Sequence, residues 1–76
     1  MTFQEVTQPY LKAFGKPDQI VDLELTINFY RQWYYYKDNV IVEFVCPKDN
    51  TKDEWEVSYA MCLDPLKYRN DKKSDL

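Results

Sequence analysis

Tyr30-Arg31-Gln32-Trp33-Tyr34-Tyr35-Tyr36-Lys37, then Asp38-Asn39, then Val40-Ile41-Val42-Glu43-Phe44-Val45-Cys46 is the stretch that decides the fold. Aromatic and β-branched residues favour the pleated, half-buried surface of a strand. Asp38 and Asn39 between the two runs tolerate positive φ, as a two-residue hairpin turn requires. The spacing predicts a β-hairpin with Val40–Cys46 as the central strand. With Asp38-Asn39 as the loop, Lys37 faces Val40, Tyr35 faces Val42 and Trp33 faces Phe44. One face then carries Trp33, Tyr35, Val42 and Phe44 as aromatic–aliphatic cross-strand pairs. The opposite face carries Tyr30, Gln32, Tyr34 and Tyr36, with Ile41, Glu43 and Val45 from the neighbouring strand.

On the C-terminal side, Pro47–Asp53 reads as a polar loop and Glu54–Met61 alternates, with Trp55, Val57, Tyr59 and Met61 on one side. Pairing Phe44 with Val57 and Val42 with Tyr59 keeps Val57 and Tyr59 on the Trp33 face. It also sets Cys46 opposite Trp55 and leaves Cys62 beyond the far end. On the N-terminal side, Val21, Leu23, Leu25 and Ile27 alternate with Asp22, Glu24 and Thr26, predicting a half-buried strand with one wet face. Further back, Thr2 with Glu5 forms a capping-box pattern that would open a helix at Phe3. The alternative start is Pro9 as first helical residue, capped by Thr7 or Gln8. Either helix ends at Gly15 before Pro17 and shows Val6, Tyr10, Leu11 and Phe14 on one stripe. The predicted architecture is α+β. An N-terminal helix packs on a four-stranded antiparallel meander, with a short C-terminal helical turn, as one domain over residues 1–69. Residues 70–76 read as a polar flexible tail.

The inventory excludes several classes of function. Seventy-six residues hold one core at most. No histidine means no imidazole base and no Ser-His or Cys-His pair. A single glycine forbids a Walker loop or a dinucleotide fingerprint. Two cysteines without histidine cannot complete a structural zinc site. A non-enzymatic protein with no cofactor and no metal is therefore expected. No run reaches the roughly 18 apolar residues of a membrane span, and the N-terminus lacks signal-peptide character. A cytoplasmic protein with two reduced, structural cysteines is expected. Asp49, Thr51 and Asp53 mimic the first spacings of a calcium loop. Glu54 stands where that loop needs glycine and Ala60 where it needs a bidentate glutamate, so a solvated loop is the better account.

What remains unusual is 17% aromatic residues, among them seven tyrosines. Tyr30, Gln32, Tyr34, Tyr36, Ile41, Glu43 and Val45 form the candidate binding face, because tyrosine offers large rigid area with a polar tip. The competing account is that Leu63–Tyr68 folds back over that face. A domain this small seldom draws more than about 3–5 kcal/mol from its core, which makes a homodimer a third reading. Arg31, Lys37 and Gln32 beside aromatics also suggest base stacking on single-stranded nucleic acid. Against that stand Asp22, Glu24, Glu43, Glu54 and Glu56 on the same sheet, and a formal charge of -3. The leading expectation is a protein-interaction module or small inhibitor, whose partner the acidic charge permits to be basic.

Gly15-Lys16-Pro17 followed by Trp33-Tyr34-Tyr35 and Val42-Glu43-Phe44 resembles the SmpA/OmlA outer-membrane-assembly lipoprotein family. That family runs helix, Gly-x-Pro, strand, Trp-x-Tyr and an apolar strand ending in Phe, and the β-lactamase-inhibitor-protein fold is similar in build. The likeness spans roughly residues 5 to 62. It implies a helix against an antiparallel sheet and a role in binding proteins. The N-terminus shows neither the signal-peptide character nor the lipid-bearing cysteine of that family, so the outer-membrane location is not expected to carry over.

Overall fold

The structure, a computed structural model, describes residues 1–49 and 53–66. Its elements are α1 (Phe3–Phe14), β1 (Gln19–Glu24), β2 (Asn28–Tyr35), β3 (Val40–Pro47) and β4 (Glu56–Cys62). The strands form one sheet in the order β1-β2-β3-β4, every pair antiparallel.

Thr2 and Glu5 settle where the helix begins. The Glu5 N–H donates to Thr2 Oγ1 at 3.2 Å and the Thr2 N–H donates to Glu5 Oε1 at 3.0 Å. Two N–H groups with no partner inside the helix are thus satisfied reciprocally. The Thr2 N–H, and with it the Thr2 hydroxyl donating to the same Glu5 Oε1 at 3.0 Å, hold the Glu5 carboxyl below its ordinary pKa. Pro9 therefore lies inside the helix, where its missing N–H leaves the ladder one bond short. Gly15 ends the helix at φ 81, its N–H donating to Leu11 O at 2.8 Å.

The helix lays Phe3, Val6, Tyr10, Leu11 and Phe14 against Trp33, Tyr35, Val42 and Phe44. Packing is by ring edges. Phe3 meets Trp33 at 5.7 Å, Phe44 at 5.4 Å and Trp55 at 4.9 Å, all edge-to-face. Such pairs add about 0.5–1.5 kcal/mol beyond area burial. The Tyr35 hydroxyl donates to Gly15 O at 3.0 Å, tying the helix end to the sheet.

Four expectations need correction. The hairpin loop is four residues, Tyr36–Asn39, with Tyr35 opposite Val40 and Trp33 opposite Val42. Asn39 alone takes positive φ, at 58. A slip of two residues leaves every side chain on its expected face, because strand periodicity is two. In β4, Phe44 does face Val57, but a bulge at Ser58 puts Ala60 opposite Val42 and Tyr59 opposite Glu43. One extra residue reverses the faces beyond it, so Tyr59 leaves the Trp33 face. That strand starts at Glu56, opposite Val45, so Trp55 has no ladder partner and Cys46 pairs instead with Phe29. Finally, β1 stops at Glu24. Leu25 and Ile27 lie in the loop at 57% and 71% exposure, and β1 is not half-buried, because the helix covers β2 to β4 and leaves this edge strand outside. Pro65 and Leu66 have helical backbone; the rest of the expected C-terminal turn and the 70–76 tail lie outside the described residues.

Candidate interaction face

The sheet register sets three rows of four side chains on the face away from the helix. They are Leu23-Tyr30-Val45-Glu56, Val21-Gln32-Glu43-Tyr59 and Gln19-Tyr34-Ile41-Met61. Tyr36, from the turn, adds a ring stacked on Tyr34 at 6.1 Å and 27°. All seven expected site residues are there: Tyr30, Gln32, Tyr34, Tyr36, Ile41, Glu43 and Val45. The helix and its ring contacts all belong to the opposite face.

Val21, Leu23, Tyr59 and Met61 enlarge the face beyond the sequence reading. For Val21 and Leu23 the signal was present, since their alternation fixes one face once β1 is paired with β2. For Tyr59 the signal was Ser58, a small polar residue at a strand position, which names no bulge by itself.

A hydrogen-bonded chain crosses the middle of the face. The Tyr34 hydroxyl donates to Gln32 Oε1 at 2.9 Å, and Gln32 Nε2 donates to Glu43 Oε1 at 3.0 Å and to the Tyr59 hydroxyl at 3.4 Å. Every donor and acceptor of the Gln32 amide is engaged in good part, which fixes its orientation. Asn28 Nδ2 donates to the Tyr30 hydroxyl at 3.1 Å, and the Tyr36 hydroxyl bonds Gln19 Oε1. These bonds hold the tyrosine rings in place within the chain itself. Burial first, then the Glu43 charge, raises the Tyr59 hydroxyl above its ordinary pKa, and the Gln32 bond works the other way.

Charge is distributed differently from the sequence expectation. Asp22 and Glu24 lie on the helix side of the sheet, opposite Arg31 and Phe29. There Asp22 pairs with Arg31 at 2.6 Å and Glu24 with Lys48 at 2.8 Å. Arg31 is also on that side, its guanidinium 4.7 Å from the Phe3 ring and 5.5 Å from the Trp55 ring. Glu54 precedes β4 and meets the Met1 ammonium at 3.1 Å. The three rows hold only two charged residues, Glu43 and Glu56, and no lysine or arginine.

Leu63 and Asp64 are clamped to the Tyr36–Asn39 turn. The Leu63 N–H donates to Asn39 O at 3.0 Å, the Asp64 N–H to Asn39 Oδ1 at 2.8 Å, and Asn39 Nδ2 to Asp64 O at 2.9 Å. Leu66 is 66% exposed; Lys67 and Tyr68, the end of the segment expected to fold back over the tyrosines, are outside the described residues. Cys46 and Cys62 are free thiols at opposite ends of the sheet. Among the described residues no group of acidic or cysteine side chains could hold a metal ion. The calcium-like spacing at 49–53 runs through residues 50–52, outside the described residues. No helix among the described residues is long and apolar enough to cross a membrane. No family model, no curated protein and no solved structure matches this chain.

Proposed function

We propose that this chain is a non-catalytic binding module, or a small inhibitor, that docks a partner protein on the Tyr30/Tyr34/Tyr36/Ile41/Val45 face. The observation that carries the reading is the sheet face away from the helix, rich in tyrosine, with no lysine or arginine in its three rows and with Tyr34, Gln32, Glu43 and Tyr59 joined in one hydrogen-bonded chain. Interface cores are depleted in charge and enriched in tyrosine in the same way. A standard interface uses roughly 20–30 residues a side, so the three rows supply its centre, with loops at the rim. The resemblance to the outer-membrane-assembly and β-lactamase-inhibitor-protein builds implies the same kind of role. Nucleic acid is the weaker reading: backbone phosphates supply much of that affinity, and the three rows hold no lysine or arginine to meet them.

The test is a pair of variants. Tyr34→Glu with Met61→Glu places two charges on the face, at residues not buried in the core, and is expected to leave the circular dichroism and unfolding midpoint unchanged. It should abolish capture of the partner from a nuclease-treated native extract. Ile20→Glu, on the helix side, should retain capture. Capture that survives the double variant, or is lost with Ile20→Glu, would reject the reading.

A further inference from the structure

Glu43 is the one charged side chain in the middle of this face, and it is only 9% exposed. Tyr59 and Gln32 flank it across the strands, and Ile41 and Val45 precede and follow it on the same face of β3. Its Oε1 accepts from Gln32; among the described residues, Oε2 accepts nothing. The cations in ion pairs are spent elsewhere: the Met1 ammonium on Glu54, Arg31 on Asp22 and Lys48 on Glu24. Among the described residues no cation meets this carboxylate, and a docked partner that took the water from Oε2 would leave a buried charge that is costly without a counter-ion.

We infer that the middle of the face is a seat for an arginine side chain of the partner, with Glu43 as its counter-ion; this rests on the protein-binding reading above. A guanidinium is planar, weakly hydrated and stacks on aromatic rings, so it suits a carboxylate among tyrosines better than a compact, strongly hydrated ammonium does. Its fork can donate to Oε2 of Glu43 and to the Tyr59 hydroxyl oxygen, while Ile41 and Val45 carry the methylene stem. Charge complementarity also decides against the other occupants. The three rows of a second copy of this chain hold no lysine or arginine, and a face-to-face pairing centred on the middle row would set Glu43 against Glu43. A nucleic acid would bring phosphate to it.

The probe is a set of capped tripeptides, acetyl-Leu-X-Leu-amide, with X arginine, citrulline or lysine, titrated into the full isotope-labelled chain and read by amide chemical shifts. Citrulline keeps the shape of arginine and removes the charge. The arginine peptide is expected to move Gln32, Glu43, Val45 and Tyr59 and to bind on the order of tenfold more tightly than the citrulline peptide, as one charge-assisted bond allows. The lysine peptide should fall between them. Glu43→Gln preserves the Gln32 contact and should erase the difference between arginine and citrulline. Equal binding of those two peptides by the native chain would overturn the inference and leave the protein-binding reading standing. So would an arginine preference that survives Glu43→Gln, shifts confined to Asp22 and Glu24, or no shift with any peptide. Loss of the protein-binding reading itself is seen separately, in the Tyr34 and Met61 variant.

Discussion

Gly15 stands at φ 81 and ψ -154, a conformation that side-chain-bearing residues reach only with strain of order 1–3 kcal/mol. A Cβ there would meet nothing within 4 Å, so the whole cost of substitution is backbone. Gly15→Ala should lower the unfolding free energy by about that amount while the denaturant slope stays constant. The carbonyl of Gly15 also receives the Tyr35 hydroxyl. Burial, then the negative charges of Asp38 and Asp18, raises the Tyr35 pKa above its ordinary value. A raised folded value means that this tyrosine's contribution is complete below about pH 10 and is lost as pH rises through the higher folded value. Thermal melts should therefore fall off on the alkaline side, and Tyr35→Phe should flatten that fall. Tyr59, shifted in the same direction, leaves a remainder. An alkaline profile identical in Tyr35→Phe would contradict the assignment.

Ser58 shows how much one residue can decide within an element. Removing it would leave Val57 opposite Phe44 and Tyr59 opposite Glu43, so both faces of β4 survive on a regular ladder. Deletion of Ser58 is expected to fold with Tyr59 still hydrogen-bonded to Gln32, seen as a retained pattern of amide shifts around Glu43. A scrambled or unfolded β4 would show that the bulge is needed. The sequence reading of the elements succeeds where chemistry is local. Thr2 with Glu5 specifies a cap, and Trp33, Tyr35, Val42 and Phe44 share a face whichever loop length is used. It fails where geometry depends on a partner strand. The Ser58 bulge and the early end of β1 at Glu24 arise from neighbours, which no alternation of apolar residues encodes. The candidate face inherits both outcomes: its seven named residues lie on β2, on β3 and in the turn between them, the β1 column follows from alternation once β1 is paired, and the β4 column beyond the bulge does not.

Across the whole molecule, one aromatic junction carries the fold. Phe44 is fully buried and meets Phe3, Trp33 and Tyr10 with ring centroids 5.3–5.8 Å away. Truncating a buried Phe costs about 3–5 kcal/mol, as much as a core of this size usually supplies. Phe44→Ala should therefore be largely unfolded at room temperature, with the near-ultraviolet dichroism of Trp33 gone. A cooperative melt in that variant would mean that stability comes from elsewhere, such as self-association. On the proposed reading, partner choice belongs to this scale too, since it would depend on what meets the assembled rows rather than on any motif within them.

The seam between Phe3 and Trp55 carries a further consequence, in the order of events in time. The Trp55 N–H donates to Met1 O at 2.6 Å and the two rings lie 4.9 Å apart, although some fifty residues separate them along the chain. Each hairpin of a meander joins sequence neighbours and can close within microseconds. The seam must instead close a loop of nearly the full described length, against an entropy that grows with loop size. Phe3 and Trp55 should thus meet last on refolding and part first on unfolding, which makes Trp55 fluorescence a clock for the final step rather than for formation of the sheet.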